Sequence, residues 1–126
     1  LGPSNTVLIV EDDETSAEAF SRGLSERGYG CLALDSADKA MHALGAGDGF
    51  AALVVDVNLG RGETGYSVAR FARQSAPELP VIYVSGEPTL RSWDTFGVPG
   101  SRYLAKPFRT ETLLDLLETL LPDPAA

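Results

Sequence analysis

Four short apolar runs in this chain each end in side chains that can do chemistry. Thr6-Val7-Leu8-Ile9-Val10 runs into Glu11-Asp12-Asp13, and Ala51-Ala52-Leu53-Val54-Val55 runs into Asp56. Val81-Ile82-Tyr83-Val84 runs into Ser85-Gly86, and Arg102-Tyr103-Leu104-Ala105 into Lys106-Pro107. Brought together, these ends supply three carboxylates, a hydroxyl and an ammonium. Clustered carboxylates repel one another unless a cation joins them. A hard ion such as Mg²⁺ takes a few of their oxygens and keeps waters for a phosphate-bearing substrate. Metal, ammonium and hydroxyl around one carboxylate are the parts required for in-line phosphoryl transfer onto it. Asp56 is the candidate nucleophile, because its run would be central. Lys106, one of two lysines in the chain, could pair with a carboxylate or hold a phosphoryl oxygen. Ser85 could donate to the same group. Taken singly, an acid after a strand is most often a helix cap, as Asp13 is expected to be. What singles these residues out is that four strand ends agree on one chemistry.

Those ends meet only if the runs are neighbouring strands. A weaker fifth run spans Tyr29 to Leu34. Continuous apolar runs of this length suit strands buried on both faces of a parallel sheet. Between them the apolar residues recur at helical spacing. Residues 13–27 place Ala17, Phe20 and Leu24 on one stripe, stopped by Gly28. Ser36 is expected to cap a helix lined by Ala40, Ala43 and Leu44 and ended by Gly45. Residues 65–75 carry Val68, Ala69 and Ala72. Thr110 is expected to cap a helix running to Leu121, with Leu113, Leu114 and Leu117 inward and Pro122 as its stop. The poorest stretch runs from Gly86 to Ser101. Pro88, Gly97, Pro99 and Gly100 leave barely two turns between Leu90 and Phe96, so this stretch is expected to be the least ordered. Five βα units imply an α/β fold: a doubly wound five-stranded parallel sheet, flavodoxin-like order 2-1-3-4-5, with helices on both faces. Ligands of such sheets bind at the carboxyl ends of the strands, near the switch point between strands 1 and 3.

Composition narrows the function. The chain has 126 residues, 44% hydrophobic and 22% charged, which suits one domain. Eighteen acids against ten bases give a net charge of -8, which argues against direct nucleic-acid binding. The single cysteine, Cys31, excludes a disulfide framework and a Cys-rich zinc site, and is expected to be buried packing. No apolar run reaches the ~18 residues of a membrane span, and no signal peptide is evident. The expectation is a soluble cytoplasmic domain at 6–121. Residues 1–5 are expected to be disordered or a cloning scar, and 122–126 a frayed tail.

At the four strand ends the sequence resembles the receiver domain of two-component response regulators, over Val7 to Leu121. Val7-Leu8-Ile9-Val10-Glu11-Asp12-Asp13 is similar to the family's first strand and acidic pair, with Asp12 as the direct Mg²⁺ ligand. Leu53-Val54-Val55-Asp56 resembles the phospho-acceptor strand, and Val84-Ser85-Gly86 the switch hydroxyl site. Tyr103-Leu104-Ala105-Lys106-Pro107-Phe108 is similar to the lysine motif, in which the Lys-Pro bond is cis. Tyr103 takes the aromatic switch position. The resemblance implies that Asp56 accepts a phosphoryl group from a histidine kinase or histidine phosphotransfer protein. It implies Mg²⁺ on Asp12, Asp56 and the carbonyl of Asn58, with Glu11 reached through water. Ser85 and Lys106 would bind the phosphoryl oxygens. Inward movement of Ser85 and Tyr103 would then alter the face of the fourth helix, fifth strand and fifth helix, for an output domain or target protein. Asn58 and Glu87 would flank the path of the attacking water and set the lifetime of the phosphorylated form.

The sequence also departs from that pattern. The family usually has proline four residues after the acceptor and glycine eight after. Here position 60 is Gly, and Gly65 comes nine after, so the loop is about one residue longer than usual, glycine-rich and expected to be mobile. Gly86 replaces the usual Ala. None of these changes removes a reacting group, so the expectation is a switch rather than a turnover enzyme. The rivals are a degenerate receiver that binds partners without phosphorylation, and an Mg²⁺-dependent phosphohydrolase of the haloacid-dehalogenase type. The second wants an Asp two residues after its nucleophile, where this chain has Asn58. His42 is expected to be uninvolved, and Trp93 and Phe96 to pack in the core.

Overall fold

The computed structural model describes residues 5–46, 49–60, 64–86 and 90–121. Its elements are β1 Thr6–Val10, α1 Glu14–Glu26, β2 Gly30–Leu34, α2 Ala37–Gly45 and β3 Ala52–Asp56. They continue with α3 Gly65–Ser75, β4 Val81–Ser85, α4 Leu90–Phe96, β5 Arg102–Ala105 and α5 Thr110–Leu120. The five strands form one parallel sheet in the order β2-β1-β3-β4-β5, as the alternation predicts.

Alternation along each strand divides the core into two layers. Leu8, Val10, Leu53, Val55, Val81 and Tyr83 pack beneath α2 and α3 with Val68, Ala69 and Ala72. Val7, Ile9, Val54, Ile82 and Val84 face α1 and α5, meeting Phe20, Leu24, Leu113 and Leu117. β3 and β4 are wholly buried, which is why their sequences read as unbroken apolar runs. Truncating a buried leucine such as Leu53 in this arrangement costs about 2–5 kcal/mol.

Asp13 caps α1 by accepting from Ser16 N–H at 3.1 Å, and Ser36 caps α2 by accepting from Lys39 N–H at 3.2 Å. Gly28 ends α1 with φ 90°, a conformation that glycine adopts without strain. Thr110, expected as the cap of α5, is instead its first helical residue. Arg109 takes the cap position in extended backbone without a side-chain bond, and Leu121 lies one residue past the helix end. The chain after Pro107 is already extended enough to turn into the helix one residue early. Phe96, expected in the core, is 54% exposed, because α4 turns that side outward; Trp93 does pack against the core. Cys31 is half-buried, and burial raises its thiol against a bond to Ser21. Of the expected disordered segment 1–5 only Asn5 is described, and it donates to Gly28 O. The expected tail 122–126 lies outside the described residues. Among the described residues, no helix is long and apolar enough to cross a membrane.

Candidate functional site

β3 and β4 run one residue further than their apolar runs suggest, and that takes Asp56 and Ser85 into the sheet. Asp56 is the last residue of β3, opposite Val84, and Ser85 the last of β4, opposite Ala105. Both are therefore held by the sheet ladder. Glu11 N–H donates to Leu34 O at 3.0 Å, and Lys106 N–H to Ser85 O at 2.7 Å, so the residues just beyond β1 and β5 are fixed too. The Lys106-Pro107 bond is cis.

Glu11, Asp12, Asp56, Ser85 and Lys106 converge at the carboxyl edge. One carboxylate oxygen from each of Glu11, Asp12 and Asp56 lies within 4.8 Å of the others. Lys106 Nζ stands 2.7 Å from Glu11 Oε1 and 2.9 Å from Asp56 Oδ2. Asp56 Oδ1 accepts from Asn58 N–H at 2.9 Å. Glu11 and Asp56 are only 2% and 6% exposed, and Ser85 is buried, whereas Asp12 stands exposed at the rim. Burial pushes Glu11 up to about 7; Lys106 pulls it down and Asp56 adds to the rise. Burial opposes the charge on Lys106 as well, but its bonds to Glu11 and Asp56 win and hold it above its ordinary value.

Asp12, Asp56, Asn58, Gly60, Ser85, Gly86 and Lys106 line a cavity of about 360 Å³. A larger recess of about 760 Å³ between α1 and α2 shares only Asp12 with it; this recess is also lined by Glu11 but holds neither Asp56 nor Lys106. Of the two, the smaller cavity is the one that brings Asp12, Asp56, Ser85 and Lys106 together. Asn58 Oδ1 accepts from Gly60 N–H at 3.2 Å, and Asn58 bridges to Thr64, so the described ends of the loop are tied. Gly60 has φ +76°, which proline cannot adopt, and a Cβ there would lie 3.8 Å from Asp12 Oδ2. Tyr103 does not line the cavity. It pairs with Tyr83, two residues back from Ser85, and stacks on Trp93 at 6.0 Å between centroids. Glu87, expected beside the water path, lies outside the described residues, as do 61–63 of the loop. His42 is on α2 and lines none of this. The sequence did not foretell that Glu11 would be buried and would share Lys106 with Asp56, since that depends on side-chain reach across the sheet.

The family model for the response regulator receiver domain matches residues 7–118. The chain belongs to the response regulator receiver domain family. It is 35% identical to response regulator protein FleR of Pseudomonas aeruginosa over 88% of this chain and 23% of that protein. It is 32% identical to response regulator MprA of Mycobacterium leprae over 95% of this chain and 54% of that one. This receiver domain thus spans about a quarter and about half of those two relatives' length. A response regulator receiver protein from Sinorhizobium medicae superposes with TM-score 0.87 at 31% identity, covering 93% of this chain and 94% of that one. The receiver domain of hybrid histidine kinase CckA superposes with TM-score 0.78 at 25% identity, over 93% and 99%. Membership places the chain among the signalling switches of two-component systems, and so displaces the haloacid-dehalogenase reading.

Proposed function

We propose that this receiver domain accepts a phosphoryl group on Asp56 from a histidine kinase or histidine phosphotransfer protein, and so switches a partner-binding face. The observation that carries the reading is Lys106 seated between Glu11 and Asp56 beside a third carboxylate. Three close carboxylates against one ammonium are the donor set a hard divalent cation suits. Asp12 and Asp56 would hold Mg²⁺ directly, with the Asn58 carbonyl, and Glu11 through water. When bound, the ion neutralises charge on the transferring oxygens.

An Asp56 oxygen attacks phosphorus as the bond to the donor histidine nitrogen breaks, and an acyl phosphate results. Lys106 exchanges its contact with Asp56 Oδ2 for a phosphoryl oxygen, and the Ser85 hydroxyl donates to another. Asn58 N–H holds the carboxylate for attack. Inward turning of Ser85 and Tyr103 changes the α4-β5-α5 face for an output domain or target protein. Water attack on the acyl phosphate resets the switch; Asn58 and Glu87, two residues beyond the acceptor and the hydroxyl, set its rate. Because phosphohistidine donors are made from ATP, the domain works in the cytoplasm.

Acetyl phosphate with Mg²⁺, followed by intact mass, tests the reading. One phosphoryl addition is expected in wild type and none in Asp56→Asn. No addition in wild type favours a receiver that binds partners unphosphorylated, and steady turnover of donor without an adduct favours a hydrolase. Decay after donor removal should be fast in wild type and slower in Asn58→Met and Glu87→Lys.

A further inference from the structure

The aromatic side chains beneath α4 are tied to it by their polar ends as well as by their rings. Tyr66, the second residue of α3, is 5% exposed. Its ring lies 5.0 Å from that of Tyr83 and 5.9 Å from that of Phe96, and its hydroxyl is 2.8 Å from Ser92 Oγ on α4. Tyr83 accepts from Val98 N–H just beyond α4 at 3.2 Å. Trp93 Nε1 donates to Ser101 Oγ at 3.0 Å. A seven-residue helix has little cohesion of its own, so contacts of this kind decide where it sits.

The Tyr66 contact differs from the others in what stands behind it. Gly65 packs so close to the acceptor strand that a Cβ there would come within 2.9 Å of Val55 Cγ2 and closer still to the Asp56 carbonyl oxygen. Gly65 N–H donates to Val57 O at 2.9 Å. The start of α3 is therefore packed tightly against the end of β3, and Tyr66 is the next residue.

We propose that Tyr66 couples Asp56 to α4. A change at the Asp56 carboxylate shifts the end of β3 together with Gly65, and the Tyr66–Ser92 hydrogen bond passes that shift to α4. This route is separate from Ser85 and Tyr103, and it rests on the reading of Asp56 as acceptor. In the resting protein the bond holds α4 down. Its removal frees α4 and, by linkage, raises the affinity of the Asp56 site for a phosphoryl mimic. One ordinary hydrogen bond supports a change of about twofold to tenfold.

Trp93 is the only tryptophan and reports on α4 directly. The test measures beryllium fluoride binding in Mg²⁺ by ¹⁹F resonance, with acrylamide quenching of Trp93, in wild type, Tyr66→Phe, Ser92→Ala and the double variant. Tyr66→Phe keeps the buried ring, so the fold is retained. The expected result is about twofold to tenfold tighter binding in each single variant, with Trp93 more accessible before ligand is added. The double variant should gain no more than either single change. Wild-type affinity and quenching in both single variants, or effects that add in the double variant, would overturn the coupling alone. No ¹⁹F adduct on wild type would overturn the acceptor reading, and the coupling with it.

Discussion

Glu11 is charged only against its surroundings, because burial and Asp56 oppose its ionisation and Lys106 is its main support, helped by a long contact from Asp13 N–H at 3.4 Å. Its value of about 7 stands above the ordinary 4.5. Without a divalent cation the folded protein therefore binds more protons than the unfolded chain between those limits. This contribution to stability is full below about pH 4.5 and is lost as pH rises through about 7. Metal-free thermal unfolding should show that decline, Glu11→Gln should flatten it, and Mg²⁺ should remove most of it. A decline that persists undiminished in Glu11→Gln would refute the assignment. Lys106→Met leaves two buried carboxylates without their shared cation, and breaking such a pair costs about 3–5 kcal/mol. The lower end is expected, since the Lys106 side chain keeps 26% exposure. The loss should be larger above pH 7 than below, which paired denaturant titrations would measure. Asp12 stands at the exposed rim, so Asp12→Ala should keep the fold and lose Mg²⁺-dependent phosphorylation. Uptake at the wild-type rate would remove Asp12 from the metal site. The types and order of these residues were legible because each follows its own apolar run. The sharing of Lys106 was not, because it arises only when the strand ends are juxtaposed.

Two glycines set how the elements meet the site, and they make opposite predictions. A Cβ at Gly65 would collide with the Asp56 carbonyl oxygen, which is backbone and cannot yield, whereas one at Gly86 would meet nothing within 4 Å. Gly65→Ala should cost about 1–3 kcal/mol and slow phosphorylation. Gly86→Ala should be neutral or stabilise by up to about 1 kcal/mol by restricting the unfolded chain. Equal stability of the two variants would mean that the α3 start is not pinned to β3. The elements themselves were readable where the core imposes a period, as in α3, whose bounds at 65 and 75 match the apolar spacing. They were less readable where backbone geometry decides, as at Thr110, which has the chemistry of a cap yet follows the residue that turns the chain. α4 is short and partly held by single hydrogen bonds, so its amides should exchange faster than those of α5, which buries Leu113, Leu114 and Leu117. Equal protection of the two helices would refute that ranking.

At the scale of the molecule, the parallel order follows from five alternating units, and with it the meeting of β1, β3, β4 and β5 at one edge. That same edge gathers acidic charge. Glu11, Asp12, Asp13, Glu14 and Asp56 lie at or just beyond the strand ends, Lys106 answers two of them, and Lys39 is engaged by Asp35 at 2.9 Å. With a net charge of -8 on the whole chain, a small anionic phosphodonor approaches against a repulsive field. Exposed charges are screened over about 8–10 Å at ordinary ionic strength. At saturating Mg²⁺, phosphorylation by acetyl phosphate should therefore accelerate as inert salt is added, and then level off. Asp13→Asn and Glu14→Gln stand outside the carboxylate cluster. They should raise the rate at low salt and leave it unchanged at high salt, where the field is already screened. A rate that falls with salt in wild type would mean that Lys106 and the bound cation dominate the approach. The acidic surface would then have no part in selecting the donor.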